Sequence, residues 1–191
     1  MSNVSAPMGF VPSRKLGGGC LVTNPYTIAS GYNTNLFSGD PVVMTGTGKN
    51  IALAAAGETG AVGVFAGCKF IDAEGRPQFK PYWPANTVLA AGTECEALVY
   101  DDPDIIFKIQ ADTVAAADVG ALCDWVAGTG SVITGQSGAQ AEASATAATG
   151  KSLRILGKLP EVGNEYGQYG KVEVLFVEHA LRGVVAGVGG D

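Results

Sequence analysis

Histidine occurs once in this chain of 191 residues, at His179. Nucleophilic triads and most general acid–base pairs are built on a histidine, and a single one beside Glu178 at the end of an apolar run reads as structural. Cysteine is sparse too: Cys20, Cys68, Cys95 and Cys123 stand far apart, with no C-x-x-C pair. Four isolated cysteines and one histidine do not make a zinc set, and they read as free, mostly buried thiols rather than two disulfides. Charge is thin, at 16% of residues, well below the usual quarter or so. The net charge of −6 comes without clustered Lys or Arg, which excludes a phosphate-binding surface and hence a nucleic-acid partner. No apolar run approaches the roughly 18 residues of a spanning helix, and no membrane partner is expected. The start, Met1-Ser2-Asn3-Val4-Ser5-Ala6-Pro7, lacks the basic region and apolar core of a signal peptide. Synthesis and retention in a cytoplasm, or in something assembled there, is the expectation.

What is present is glycine, 28 residues of it, and a normal 47% of apolar residues. The length suits one domain, and so thin a charge implies that part of the surface is covered by other protein. From Tyr26 onward, short apolar runs alternate with Gly, Asn and Pro, which predicts an all-β sandwich or barrel. The pattern is clearest from Cys95 to Gln110. Cys95, Ala97 and Val99 form one apolar stripe, Ile105, Phe107 and Ile109 another, and Asp101-Asp102-Pro103 between them suits a turn. The expectation is a β-hairpin at the centre of the domain. Cys68–Ile71 and Gln78–Lys80 flank a second hairpin loop, and Lys171–Glu178 is a late strand with Val172, Val174 and Phe176 on one face. Helix competes with strand over Thr113–Val126, with strand expected from about residue 121. Residues 135–150, rich in Ala, Gly and Ser, read as a loop or insert, or as a strand with a small-residue face.

The ends differ from the middle. Residues 1–19 mix Met8, Phe10, Val11 and Leu16 with Pro and Gly, and Arg14 and Lys15 are the only charges before Asp40. A solvated tail has little use for such apolar residues, so an extended N-terminal arm lying on a neighbouring subunit is expected. Residues 20–182 then form the β-domain. Residues 183–191, with Val184, Val185 and Val188 among glycines, form a C-terminal tail or second arm. Trp83, in the rigid corner Pro81-Tyr82-Trp83-Pro84, reads as a core or interface anchor.

Little could carry chemistry. Asp101, Asp102 and Asp104 with Glu94 and Glu96 are the densest acids and could hold a cation through oxygen ligands, but turn chemistry accounts for the aspartates without one. Gly46-Thr47-Gly48-Lys49 lacks P-loop spacing and reads as a β-turn. No catalytic residue, cofactor or metal is expected.

Met8-Gly9-Phe10-Val11-Pro12, Ala29-Ser30-Gly31-Tyr32, Gly39-Asp40-Pro41-Val42 and Gly63-Val64-Phe65-Ala66-Gly67-Cys68 resemble stretches of small virion structural proteins of tailed bacteriophages. Lys80-Pro81-Tyr82-Trp83-Pro84-Ala85 and Val99-Tyr100-Asp101-Asp102-Pro103-Asp104 look like the same group. Within it, Gly39–Gly67 followed by Val119-Gly120-Ala121 is similar to head decoration, or cement, proteins. The resemblance implies a compact β-domain with arms that clamps neighbouring copies of the major capsid protein on the outer shell, as a small homo-oligomer, dimer or trimer. It implies a virion location, after assembly in the host cytoplasm. The contact residues expected are Met8, Phe10, Val11, Arg14, Lys15, Leu16, Trp83, Val184, Val185 and Val188. A head–tail or tail component is the second reading. A carbohydrate-binding β-domain, with Trp83, Tyr82 and Trp125 as stacking residues, is the third.

Overall fold

The computed structural model describes residues 3–182. In chain order the strands are β1 (Val11–Lys15), β2 (Asn24–Tyr26), β3 (Leu36–Phe37), β4 (Pro41–Met44), β5 (Ile51–Leu53), β6 (Gly63–Ile71), β7 (Pro77–Lys80) and β8 (Tyr82–Trp83). They continue as β9 (Glu96–Tyr100), β10 (Ile105–Gln110), β11 (Thr113–Val114), β12 (Leu122–Val126), β13 (Gln140–Ala147), β14 (Leu153–Lys158), β15 (Gly167–Gln168) and β16 (Lys171–Phe176). One 3₁₀ turn, Ala116–Asp118, stands where helix competed with strand in the sequence. The expected all-β fold of packed antiparallel sheets is what forms. One six-stranded sheet runs β1-β10-β16-β14-β12-β13, and the other runs β2-β9-β6-β4-β5 with β7 on the far half of β6. Pairing within both is antiparallel.

Alternation along the strands builds two cores. Ile105, Phe107 and Ile109 on β10 meet Val172, Val174 and Phe176 on β16, and Ala54, Ala61 and Val64 close this first core from the side of the second sheet. The second core holds Val42, Phe65, Cys68, Ala97 and Val99, covered by Ile28, Leu36, Trp83 and Leu89. Val64 thus faces one core and its neighbour Phe65 the other. A strand buried on both faces must be apolar throughout, which explains the unbroken run at the start of β6.

The central hairpin expected from the sequence does not form. β9 pairs with β2 and β6 in one sheet, whereas β10 pairs with β1 and β16 in the other. Asp101–Asp104 is a crossing between sheets. Alternation specifies that each strand buries one face, but not against which neighbour, and a mid-sheet position in two sheets buries both stripes more fully than one edge hairpin does. The hairpin between Ile71 and Pro77 forms as expected.

Topologically, residues 24–100 are an insertion. β1 lies next to β10, with Lys15 opposite Ile105, and the whole second sheet is threaded between these two neighbours. The two linkers, 16–23 and 101–104, therefore leave the first sheet side by side.

One further expectation is corrected, and one open reading is decided. The N-terminal stretch is not a free arm over residues 3–16: Ala6 N–H donates to the Gln110 side chain, whose amide donates to the Val4 carbonyl, and β1 completes the sheet. Phe10 is 1% exposed, stacked on Phe176 at 5.2 Å and edge-on to Phe107 and Trp125. Gly9 makes this possible; at φ 66° any Cβ there would sit 2.5 Å from the Ser137 Cβ. Of the two readings of residues 135–150, the strand with a small-residue face is the one that forms over 140–147: this is β13, with Ala139, Ala141 and Ala143 in the first core. Their small side chains let β13 approach the end of β10, where Ala111 and Ala141 form a bridge.

Candidate contact surface

The acidic turn is fastened by hydrogen bonds and ion pairs from several parts of the chain. Asp101 is buried and accepts hydrogen bonds from the Tyr26 hydroxyl at 2.9 Å and the Asn24 amide at 2.8 Å. Burial, reinforced by that bond, raises the Tyr26 phenol well above its ordinary pKa. Asp102 pairs with Lys15 at 2.5 Å and accepts the Asp104 N–H. The Lys15 hydrogen bond holds the Asp102 carboxyl below the usual carboxylate range, and Asp102 in turn raises Lys15. Asp104 pairs with Arg182, and its carbonyl accepts the Leu16 N–H at 2.8 Å. Each carboxylate is thus used by the protein itself, and among the described residues no group of three or more His, Cys, Asp and Glu is placed to hold a metal ion.

His179 closes the corner from beneath. Its ring is buried, edge-on to Phe176 at 6.3 Å, and Nδ1 accepts the Leu181 N–H. Burial pulls its pKa down to about 4, against the pull of Asp101, Asp102 and Asp104. A neutral imidazole packed this way holds the segment after β16 in place; Ala61 bridges His179, and Ala180 N–H donates to the Ala61 carbonyl.

At this corner the sequence-predicted contact residues partly come together. Arg14 pairs with Glu173 on the sheet, and Lys15 and Leu16 lead into the linker that Asp104 fastens. Leu16 is exposed, as are Val22 farther along the linker and Leu181 beside Arg182. The chain leaves Arg182 toward Val184, Val185 and Val188, which lie outside the described residues. Val11 is partly exposed on edge strand β1, and Met8 is half-buried.

Others are withdrawn from any contact. Phe10 belongs to the first core, and Trp83 is fully buried in the second, edge-on to Phe70. Trp125 is also buried, so neither tryptophan can stack on a sugar; Tyr82, half-buried, is already stacked on Phe37. The thiols follow the same rule. Cys68, Cys95 and Cys123 are buried and free, and Cys20 is exposed. A hydrogen bond with Cys68 and then burial raise Cys95, and burial pushes Cys123 up to about 12. Protonated, enclosed thiols are inert.

A second exposed group was missed in the sequence. The connection from β12 to β13 carries Val132 and Ile133 at its tip, with Ile133 94% exposed, and Phe79 on β7 is 69% exposed. Their signal was an apolar pair within a stretch that has no charge between Asp124 and Glu142, hidden by the turn-like composition around it.

No protein-family model matches this chain, and no curated protein or solved structure matches it either.

Proposed function

We propose that this chain is a virion structural protein of a tailed bacteriophage that binds the outer surface of the major capsid shell and stabilises it. The motif resemblance supplies the class. The observation that carries the attachment mode is the Asp101–Asp104 corner, where the exposed Leu16–Val22 linker and the start of the C-terminal segment share Asp104 as a fastening point. Apolar side chains on linkers pinned at a rigid corner contribute area at a lower ordering cost than a free arm, because the backbone at their roots is already fixed. Such a protein needs contact area rather than reactive groups, and the thin charge suits faces that become covered.

The test is co-sedimentation with undecorated capsids of the phage that encodes it. A chain ending at Arg182, and separately Leu16→Asp with Val22→Asp, should keep the melting temperature of the free protein while losing at least about tenfold in occupancy, the effect of removing two or more buried apolar anchors. Decorated capsids should open at a higher temperature than bare ones. Full occupancy by both variants would remove the corner from the contact, and failure of the intact protein to sediment with capsids would remove the capsid reading. A head–tail or tail component would instead sediment with tails or tailed particles and not with isolated shells.

A further inference from the structure

The β12–β13 connection is braced far more tightly than a solvated loop requires. A Cβ on Gly128 would lie 1.7 Å from the Gly138 carbonyl oxygen, one on Gly130 2.2 Å from the Phe37 ring, and one on Gly135 2.5 Å from Pro81. The loop is sewn to the segment between β3 and β4 through Ser38, whose N–H donates to the Gly135 carbonyl and whose own carbonyl accepts the Ser137 N–H. At the end of this rigid mount stand Val132 and Ile133, facing water.

Pro81 follows β7, and β7 borders the recess they would fit. Phe70, Ile71, Pro77 and Phe79 line a shallow depression of about 390 Å³ on the outer face of β6 and β7. Its rim carries Lys69 and Glu96, which neutralise each other at 3.1 Å. Strand β7 is short and pairs only with β6 among the described strands. The knob has no charge to desolvate; of the charges at the recess, Lys69 and Glu96 pair with each other and Glu94 stands exposed at its edge.

We propose that this face is the self-association surface: Val132 and Ile133 of one copy seat against Phe79 and Ile71 of a second, and the reverse. The inference rests on the homo-oligomer that forms part of the function proposed above, and names its contact. A two-fold interface requires a self-complementary patch, and the connection that carries the knob packs at Gly135 against Pro81, the residue that follows β7. Area points to the same partner. At ordinary side-chain sizes, Val132, Ile133, Phe79, Ile71 and Pro81 expose on the order of 500 Å² per copy, so that two copies bury about 1,000 Å² of apolar surface, the threshold for a specific interface.

The test is sedimentation velocity of the full chain at micromolar concentration, with a cross-link for geometry. The wild type should sediment as a dimer, and Ile133→Ser should raise the dissociation constant at least about tenfold, as loss of an interface anchor does, with an unchanged melting temperature. In a Cys20→Ser background, mixing chains carrying Ile133→Cys with chains carrying Phe79→Cys should give a disulfide-linked pair when a mild thiol oxidant accepts the two electrons and two protons. The other thiols are buried, and neither partner can close the bond alone. A wild type that stays monomeric, an Ile133→Ser chain that dimerises normally, or a mixture that yields no cross-linked pair overturns the proposal. Capsid co-sedimentation is measured separately, so a monomeric protein that still binds shells removes this contact and leaves the capsid reading standing.

Discussion

Phe10 has the sequence environment of a contact residue and the position of a core residue. Met8, Gly9, Val11 and Pro12 around it break any periodicity, so nothing local marks it as buried; the information lies in Phe107, Trp125 and Phe176, about a hundred residues and more away. Its ring fills the centre of an aromatic cluster, and Phe10→Ala should cost about 3–5 kcal/mol, comparable to Phe107→Ala. Denaturant titration of both variants checks this, and a change near zero for Phe10 would restore the free-arm picture. His179 gives a second expectation. Its folded pKa, about 4, lies below the unfolded value, so the unfolded chain binds the extra proton first as pH falls. Stability contributed by the neutral ring is complete above about pH 6.5 and falls by about 3 kcal/mol between there and pH 4. Asp40 has the opposite sign: burial raises its pKa, so its contribution is lost as pH rises through that value. Comparing wild type with His179→Gln across this range isolates the histidine, and parallel curves would mean that the ring titrates alike in the folded and unfolded chain.

At the scale of elements, the strands were legible and their partners were not. Period-two stripes located β10 and β16, where Ile105, Phe107 and Ile109 and Val172, Val174 and Phe176 face the first core, and the turn-like loop between Ile71 and Pro77 located the pair β6 and β7. The pairing of β9 and β10 was misread because a turn of Asp and Pro looks the same whether the chain reverses within a sheet or crosses to another; the partners that decide it, Asn24 and Tyr26, are some 75 residues upstream. Strand β13 was one of two readings of its alanines, which identify a close approach only once the neighbour is known. The glycines of the β12–β13 connection belong here too. Gly128→Ala forces two backbones apart and should destabilise the protein by about 1–3 kcal/mol, with faster proteolysis between Gly128 and Gly138. Gly157→Ala on β14, with open space around its Cβ position and no left-handed φ, should be near neutral in the same assay. Equal effects would mean that the connection gives way easily.

The whole molecule is one sheet interrupted by another. Its proposed attachment corner was half legible: Arg14, Lys15 and Leu16 stood out as the only charged and late apolar residues of an otherwise neutral start, whereas Leu181 and Arg182 join them only through the fold. The interruption also governs the order in which the molecule can form. Pro12 finds its partner Phe107 only after about 90 intervening residues have been made, and holding such a loop shut by one strand pair is entropically costly. The insert removes that cost by folding first. Once Asn24 lies opposite Val99, its two ends are already neighbours, and what must close is a pair of linkers a few residues long. During synthesis β1 therefore waits, unpaired, while residues 24–100 emerge and settle, and the first sheet is sealed as β10 and then the strands up to β16 follow. A ribosome-stalled chain should accordingly show the second core protected from proteolysis before the first, with the earliest-made strand among the last to be ordered.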